Sequence, residues 1–183
     1  MVAVTSLFLP IVLSAVFVFI ASSLIHMLLG YHAGDFSRTP DEEAVRATLR
    51  IPPGDYSVPF CSSMAEMKTE EFKQKMADGP IAWITVAKPG TSFMGASMAM
   101  WFVYCLVVSL FAAYVAAAAL DTGAHYLEVF RFAGTVAFAG YGLGIWQQTI
   151  WYKRSVSSTL KSTFDALVYA LLTAGTLGWL WPS

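Results

Sequence analysis

Apolar and polar positions fall in long blocks along this chain rather than alternating residue by residue. Four mostly apolar runs, at about 4–29, 95–120, 126–148 and 160–181, are separated by polar stretches. A hydrocarbon layer about 30 Å thick needs about 20 apolar residues in a helix, and each run reaches that length. Unbroken apolar runs lack the alternation of membrane strands, and backbone in lipid must satisfy its own hydrogen bonds. The expected fold is an all-α integral membrane protein forming one membrane domain over 1–183. It is a four-transmembrane-helix bundle with a roughly 60-residue extramembrane segment, 31–92, between helices 1 and 2.

The first run has no basic residue ahead of it, and Ser22-Ser23-Leu24-Ile25-His26 offers no small-x-small cleavage site. It reads as a retained anchor, with Pro10 as an early-turn proline or a mild kink.

Composition agrees with a lipid environment. Of 183 residues, 57% are hydrophobic and 13% charged, with mean hydropathy +0.60. A soluble domain has roughly 45–50% apolar and about 25% charged residues, so the apolar excess here has to face lipid.

The basic residues orient the chain. Arg38, Arg46, Arg50, Lys68, Lys73, Lys75 and Lys88 lie in 31–92, and Lys153, Arg154 and Lys161 lie between or at the edges of runs three and four. Only Arg131 falls inside a run. By the positive-inside rule, 31–92 and the 153–161 link are cytoplasmic and both termini outside. The expected location is a bacterial inner (plasma) membrane. Trp146, Trp151, Tyr152, Trp179 and Trp181 are placed as interfacial anchors.

Within 31–92, Thr39-Pro40-Asp41-Glu42 reads as an N-cap, a first-position proline and a capping-box glutamate, opening a helix through Leu49 that Pro52-Pro53-Gly54 stops. Ser63-Met64-Ala65-Glu66 is a second such box, leading to a helix that ends near Gly79-Pro80. Its Met64, Met67, Phe72 and Met76 share a face that packs on the membrane surface or on its own neighbours, or serves a partner. Residues 81–86 read as a strand, to be paired by 57–60 or by another subunit.

Small residues at four-residue spacing mark helix contacts: Gly140 and Gly144; Ala166, Ala170, Ala174 and Gly178; and Cys105, Ser109, Ala113 and Ala117. Close backbone approach is the main route to helix packing in lipid. These stripes serve the bundle or an oligomer.

Two groups of polar residues interrupt the runs. One end holds Asp121, His125, Glu128 and Arg131, for which a Glu128–Arg131 ion pair is the plain structural reading. The other holds His26 and Asp165, expected to meet near Gln147 or Gln148, with Lys161 as the rival partner of Asp165. A metal centre is not expected, because His26 and His32 are six apart and face different ways if the helix continues, with Asp35 completing the set only weakly. A bis-histidine haem is disfavoured because His26 and His125 lie near opposite membrane faces. No cofactor is expected, hydrolase and nucleotide motifs are absent, and a net charge of −1 without a basic stripe speaks against nucleic acid.

Residues 15–19, 107–111, 138–142 and 171–175, at mid-depth, carry no charge, whereas carriers usually hold their sites there. Three functions follow in order: a non-catalytic accessory or self-assembling subunit of a membrane complex; a small oligomeric transporter or channel; and a membrane-face enzyme using His26, His32 and Asp165. Expected partners are the lipid bilayer and further copies or other membrane subunits.

Overall fold

Pro10 occupies the first turn of the first helix, where a missing amide breaks no helical bond. A 3-10 turn over Val4–Leu7 passes into α1, Phe8–Leu28. The computed structural model describes residues 2–91 and 94–183; position 92, the expected end of the extramembrane segment, lies outside the described residues. The chain is mostly helical (67%). It divides into two units, 1–36 with 93–183, and 37–92.

The larger unit contains α1, α4 (Gly95–Ala119), α5 (Tyr126–Gly142), α6 (Trp146–Tyr152) and α7 (Val156–Trp179). Two helical stretches, Val4–Leu28 and Gly95–Ala119, are long and apolar enough to cross a membrane. The third apolar run is not one helix: a 3-10 turn at Leu143–Ile145 interrupts it. Gly142 precedes that break and Gly144 lies within it, and both weaken helix there. Lys153, in the left-handed conformation, ends α6. The fourth helix starts at Val156, ahead of position 160, because the polar turn Ser155–Ser158 joins it; the Thr159 amide donates to the Ser155 carbonyl at 3.1 Å.

α1 and α5 each pack against both α4 and α7, with the α5–α7 contact the most extensive. The reason is side-chain size. A Cβ on Gly134 would lie 3.1 Å from Ala174 Cβ, and one on Gly142 would lie 3.1 Å from Ala166 Cβ. The two glycines match the two alanines along antiparallel helices, so the backbones approach closely and gain dispersion contacts along their length. A Cβ on Gly140 would meet Val108 at 3.1 Å, and on Gly178 the Tyr126 ring at 2.9 Å. Ala170, Cys105, Ser109, Ala113 and Ala117 are buried. Gly144, expected in the same stripe as Gly140, has no atom within 4 Å of its Cβ position, because the 3-10 turn rotates it out of register.

At the far end of this unit, the Trp181 indole donates to the Asp121 carbonyl (3.0 Å) and the Gly123 amide to the Pro182 carbonyl (2.8 Å). The expected Glu128–Arg131 pair does not form. Glu128 accepts instead from the His125 amide (3.1 Å), while His125 Nδ1 accepts from the Leu127 amide (3.2 Å), a reciprocal cap at the start of α5. The free amides of a first helical turn compete for the carboxylate and win it. Arg131 is exposed.

The smaller unit contains α2 (Glu42–Thr48), β1 (Gly54–Val58), α3 (Glu70–Asp78) and β2 (Ala82–Val86). Asp41, not Thr39, caps α2, accepting from the Ala44 amide at 2.9 Å, so the helix begins two residues later than the Thr39 box implies. Ser63 does accept from the Glu66 amide (3.2 Å), and Glu66 accepts from the Ser62 amide and hydroxyl (2.9 and 2.7 Å). That box opens only a 3-10 turn, Glu66–Lys68; Thr69 caps α3 in its place, accepting from the Phe72 amide. The strand partner is Gly54–Val58, antiparallel, with Gly54 opposite Val86 and Val58 opposite Ala82. Pro59 has no amide to extend that ladder, so of the expected 57–60 segment Ser57 and Val58 pair, opposite Trp83 and Ala82, and the strand runs back to Gly54 instead of on to Phe60. Thr85 Oγ1 donates to Asp55 across the pair at 2.6 Å.

Candidate functional site

The site is made where α1 ends. The last turn of α1 carries His26, whose Nδ1–H donates to the Ser22 carbonyl at 3.0 Å. The helix stops at Leu28, and Gly30, at φ +65, turns the chain back; glycine takes that conformation without a Cβ penalty. Two short turns follow, Ala33 N–H to the Gly30 carbonyl and Asp35 N–H to the His32 carbonyl, both at 3.0 Å. Their effect is to lay His32 flat on His26, ring centroids 4.6 Å apart and planes within 7°.

His32 sits between two carboxylates. Its Nδ1 is 2.7 Å from Asp35 Oδ2 and its Nε2 is 2.8 Å from Asp165 Oδ2. Asp165, on α7, is 3% exposed. A buried carboxylate requires donors, and the second one is the Tyr31 hydroxyl, on Oδ1. Lys161 Nζ donates to Asp35 Oδ1 at 2.9 Å. The hydrogen bond from His32, then that from Lys161, holds the Asp35 carboxyl well below the usual range, against the opposing effect of burial. Burial pushes the Tyr31 phenol above its ordinary value, and the hydrogen bond and charge of Asp165 push it the same way.

Beside this corner lies a partly open cavity of about 430 Å³, walled by α1, α4, α7 and the α5–α6 break. Ser22, His26, Ser162 and Asp165 give it a polar edge, and Phe19, Met27, Met98, Trp101, Tyr141 and Ile145 an apolar body. Trp101 donates to Ser22 Oγ at 2.8 Å, which fixes the indole against the α1 wall. Trp101, Tyr141 and Tyr169 form an aromatic group with centroids 5.5–6.1 Å apart. Tyr169 lines the cavity, and its buried hydroxyl has no hydrogen-bond partner among the described residues. Buried polar groups are rarely left so.

Sequence reasoning singled out His26, His32 and Asp165, and these do converge, with one ligand atom from each within 4.8 Å of the others. The routes differ from those expected. His26 does not bond Asp165 directly, and Lys161 reaches Asp35 instead of Asp165. Gln147 and Gln148 are exposed and do not line the cavity, because the 3-10 turn before α6 changes their facing. His125, Glu128 and Arg131 lie at the other end of α5. Tyr31 and the Asp35–Lys161 bond went unseen. Gly30, directly after an apolar run, is the one sequence signal for them, since it marks a C-terminal turn. Compared with family models, with curated proteins and with solved structures, the chain finds no match.

Proposed function

We propose that this chain is an integral membrane protein with four spans, formed by α1, α4, α5 with α6, and α7, and that it is a membrane-face enzyme. It acts on a small amphipathic molecule held in the cavity at the α1–α7 end. The observation that carries this reading is the convergence of His26, His32 and Asp165 on the edge of an otherwise apolar cavity. Concave, mostly apolar sites with a few converging polar groups are the usual form of small-molecule sites. An apolar tail fits the aromatic wall and an oxygen-bearing head the His–Asp edge.

Lipid contact around all four helices is supported by their outward faces. Leu160, Phe164, Leu167 and Leu171 are each 44–59% exposed along one stripe of α7, opposite its buried Asp165, Ala166, Tyr169 and Ala170. An exposed apolar stripe of that length needs an apolar neighbour. Ile150 and Trp151 do the same on α6.

The accessory or self-assembling subunit is the second reading. It is weakened because the small residues that would serve subunit contacts are used between α5 and α7 of one chain. The transporter reading is third, since the charged groups of the cavity lie at one end of the helices.

Native mass spectrometry after mild detergent extraction tests the reading. The expected result is a single chain carrying a non-covalent small molecule, which Ser97→Phe, filling the cavity from α4, removes. A chain found only in fixed stoichiometry with other polypeptides, with no such adduct, would restore the accessory-subunit reading.

A further inference from the structure

Two imidazoles and a carboxylate meeting at one corner is the donor set of an open transition-metal site. Resting on the reading of this corner as the working site, we propose that His26, His32 and Asp165 bind one divalent first-row transition metal ion, with Zn²⁺ the best-suited.

The donors are oriented as such a site requires. Metal-binding histidines typically donate their second ring N–H to a carbonyl or a carboxylate, which fixes tautomer and direction. His26 does so through Nδ1 to the Ser22 carbonyl, and His32 through Nδ1 to Asp35. Both Nε2 atoms are left for the ion. Asp35 is itself held by Lys161, and Asp165 by the Tyr31 hydroxyl, so each donor has its own support. Donors about 2.0–2.1 Å from a tetrahedral ion lie about 3.3 Å from one another. The separations here run from 2.8 Å, between His32 and Asp165, to 4.8 Å at most.

Two adjustments are needed. The proton between His32 Nε2 and Asp165 Oδ2 leaves as the ion enters, as ligand deprotonation generally accompanies metal binding. The His26 ring tilts out of its parallel stack so that its lone pair points at the ion. His26 is exposed, so that tilt displaces little packing. Three protein donors leave a fourth position, on the cavity side, for water or a substrate oxygen. There the ion would polarise a carbonyl or phosphoryl group, or activate water. The substrate class that follows is an amphipathic ester or phosphoester. His125, the third histidine, has its Nδ1 engaged by the Leu127 amide at the other end of α5 and takes no part.

The test uses the full chain in detergent, stripped with a chelator and titrated with Zn²⁺ by calorimetry and with Co²⁺ by visible absorption. One ion per chain is expected, with the ligand-field bands of Co²⁺ in a nitrogen–oxygen site. His26→Ala, which removes an exposed ring, should weaken Zn²⁺ binding at least a hundredfold without lowering the melting temperature. Asp35→Asn should weaken it roughly ten- to a hundredfold, and His125→Ala should leave it unchanged. Zn²⁺ binding that His26→Ala does not alter, or the lack of both Zn²⁺ heat and Co²⁺ bands on folded protein, overturns the proposal. If the ion fails but the Ser97→Phe-sensitive adduct remains, the cavity reading stands without the metal. If the ion binds and no adduct exists, the metal site stands and the amphipathic substrate falls.

Discussion

His32 Nε2 and Asp165 Oδ2 are 2.8 Å apart across 133 residues of chain. That bond ties the segment following α1 to the N-terminal half of α7, and it brings Tyr31 and Asp35 with it. Two more bonds cross the same gap, Tyr31 to Asp165 and Lys161 to Asp35, and two of the three crossings end on Asp165.

Asp165→Ala in metal-free protein therefore leaves both the Tyr31 hydroxyl and His32 Nε2 without their acceptor in a mostly buried place. Breaking a buried pair by removing one member typically costs about 3–5 kcal/mol, and a loss in that range is expected from reversible unfolding in detergent. Lys161→Met should do much less, since its side chain is 29% exposed and Asp35 keeps His32. Equal effects from the two variants would show that the crossing is not the anchor.

Glycine positions divide sharply. Gly178→Ala drives a methyl into the Tyr126 ring at 2.9 Å and its carbonyl at 3.2 Å, and overpacking of this kind costs about 1–3 kcal/mol. Gly144→Ala meets nothing within 4 Å and should stabilise by about 0.4–1 kcal/mol through a stiffer unfolded chain. Melting temperatures moving in opposite directions are the expected outcome.

Glu128 and Arg131 should be energetically independent. Glu128→Ala removes half of the reciprocal cap and should lower stability by on the order of 1 kcal/mol. A double-mutant cycle with Arg131→Met should give a coupling within about 0.5 kcal/mol of zero. A larger favourable coupling would mean that the two side chains pair.

Topology can be read with thiol labels. Cys61 is half-buried in the smaller unit, and Cys105 is buried on α4. With four spans and 31–92 cytoplasmic, an impermeant maleimide applied to intact cells should not label Cys61. In a Cys61→Ser background it should label Ser183→Cys and Thr122→Cys, but not Ser155→Cys. The reverse pattern inverts the orientation, and Ser183→Cys and Cys61 reacting alike would exclude an even number of spans.

The sequence by itself determined the elements that rest on local rules. Residues 4–28 and 95–119 are helical because nothing in those runs breaks a helix past the first turn, and their apolar length fixes how they can be solvated. The Cys105–Ala117 stripe is buried as its spacing implies. The strand over 82–86 was legible from its composition, and Ser57 and Val58 of its expected partner do pair with it, but Pro59 ends that partner strand. Caps were legible as residue types and not as positions: Asp41 caps α2 in place of Thr39, and Ser63 holds the Glu66 amide but opens only a 3-10 turn, leaving Thr69 to cap α3.

Only the tertiary structure decided the site. Six residues separate His26 from His32, and on a continuing helix they face apart. The helix ends at Leu28 and Gly30 reverses the chain, so the same spacing stacks one ring on the other. Spacing along a sequence predicts which side chains meet only while the backbone keeps one period. Where that period stops, the meeting is set by which distant buried group needs a partner, and here Asp165 of α7 draws in both Tyr31 and His32.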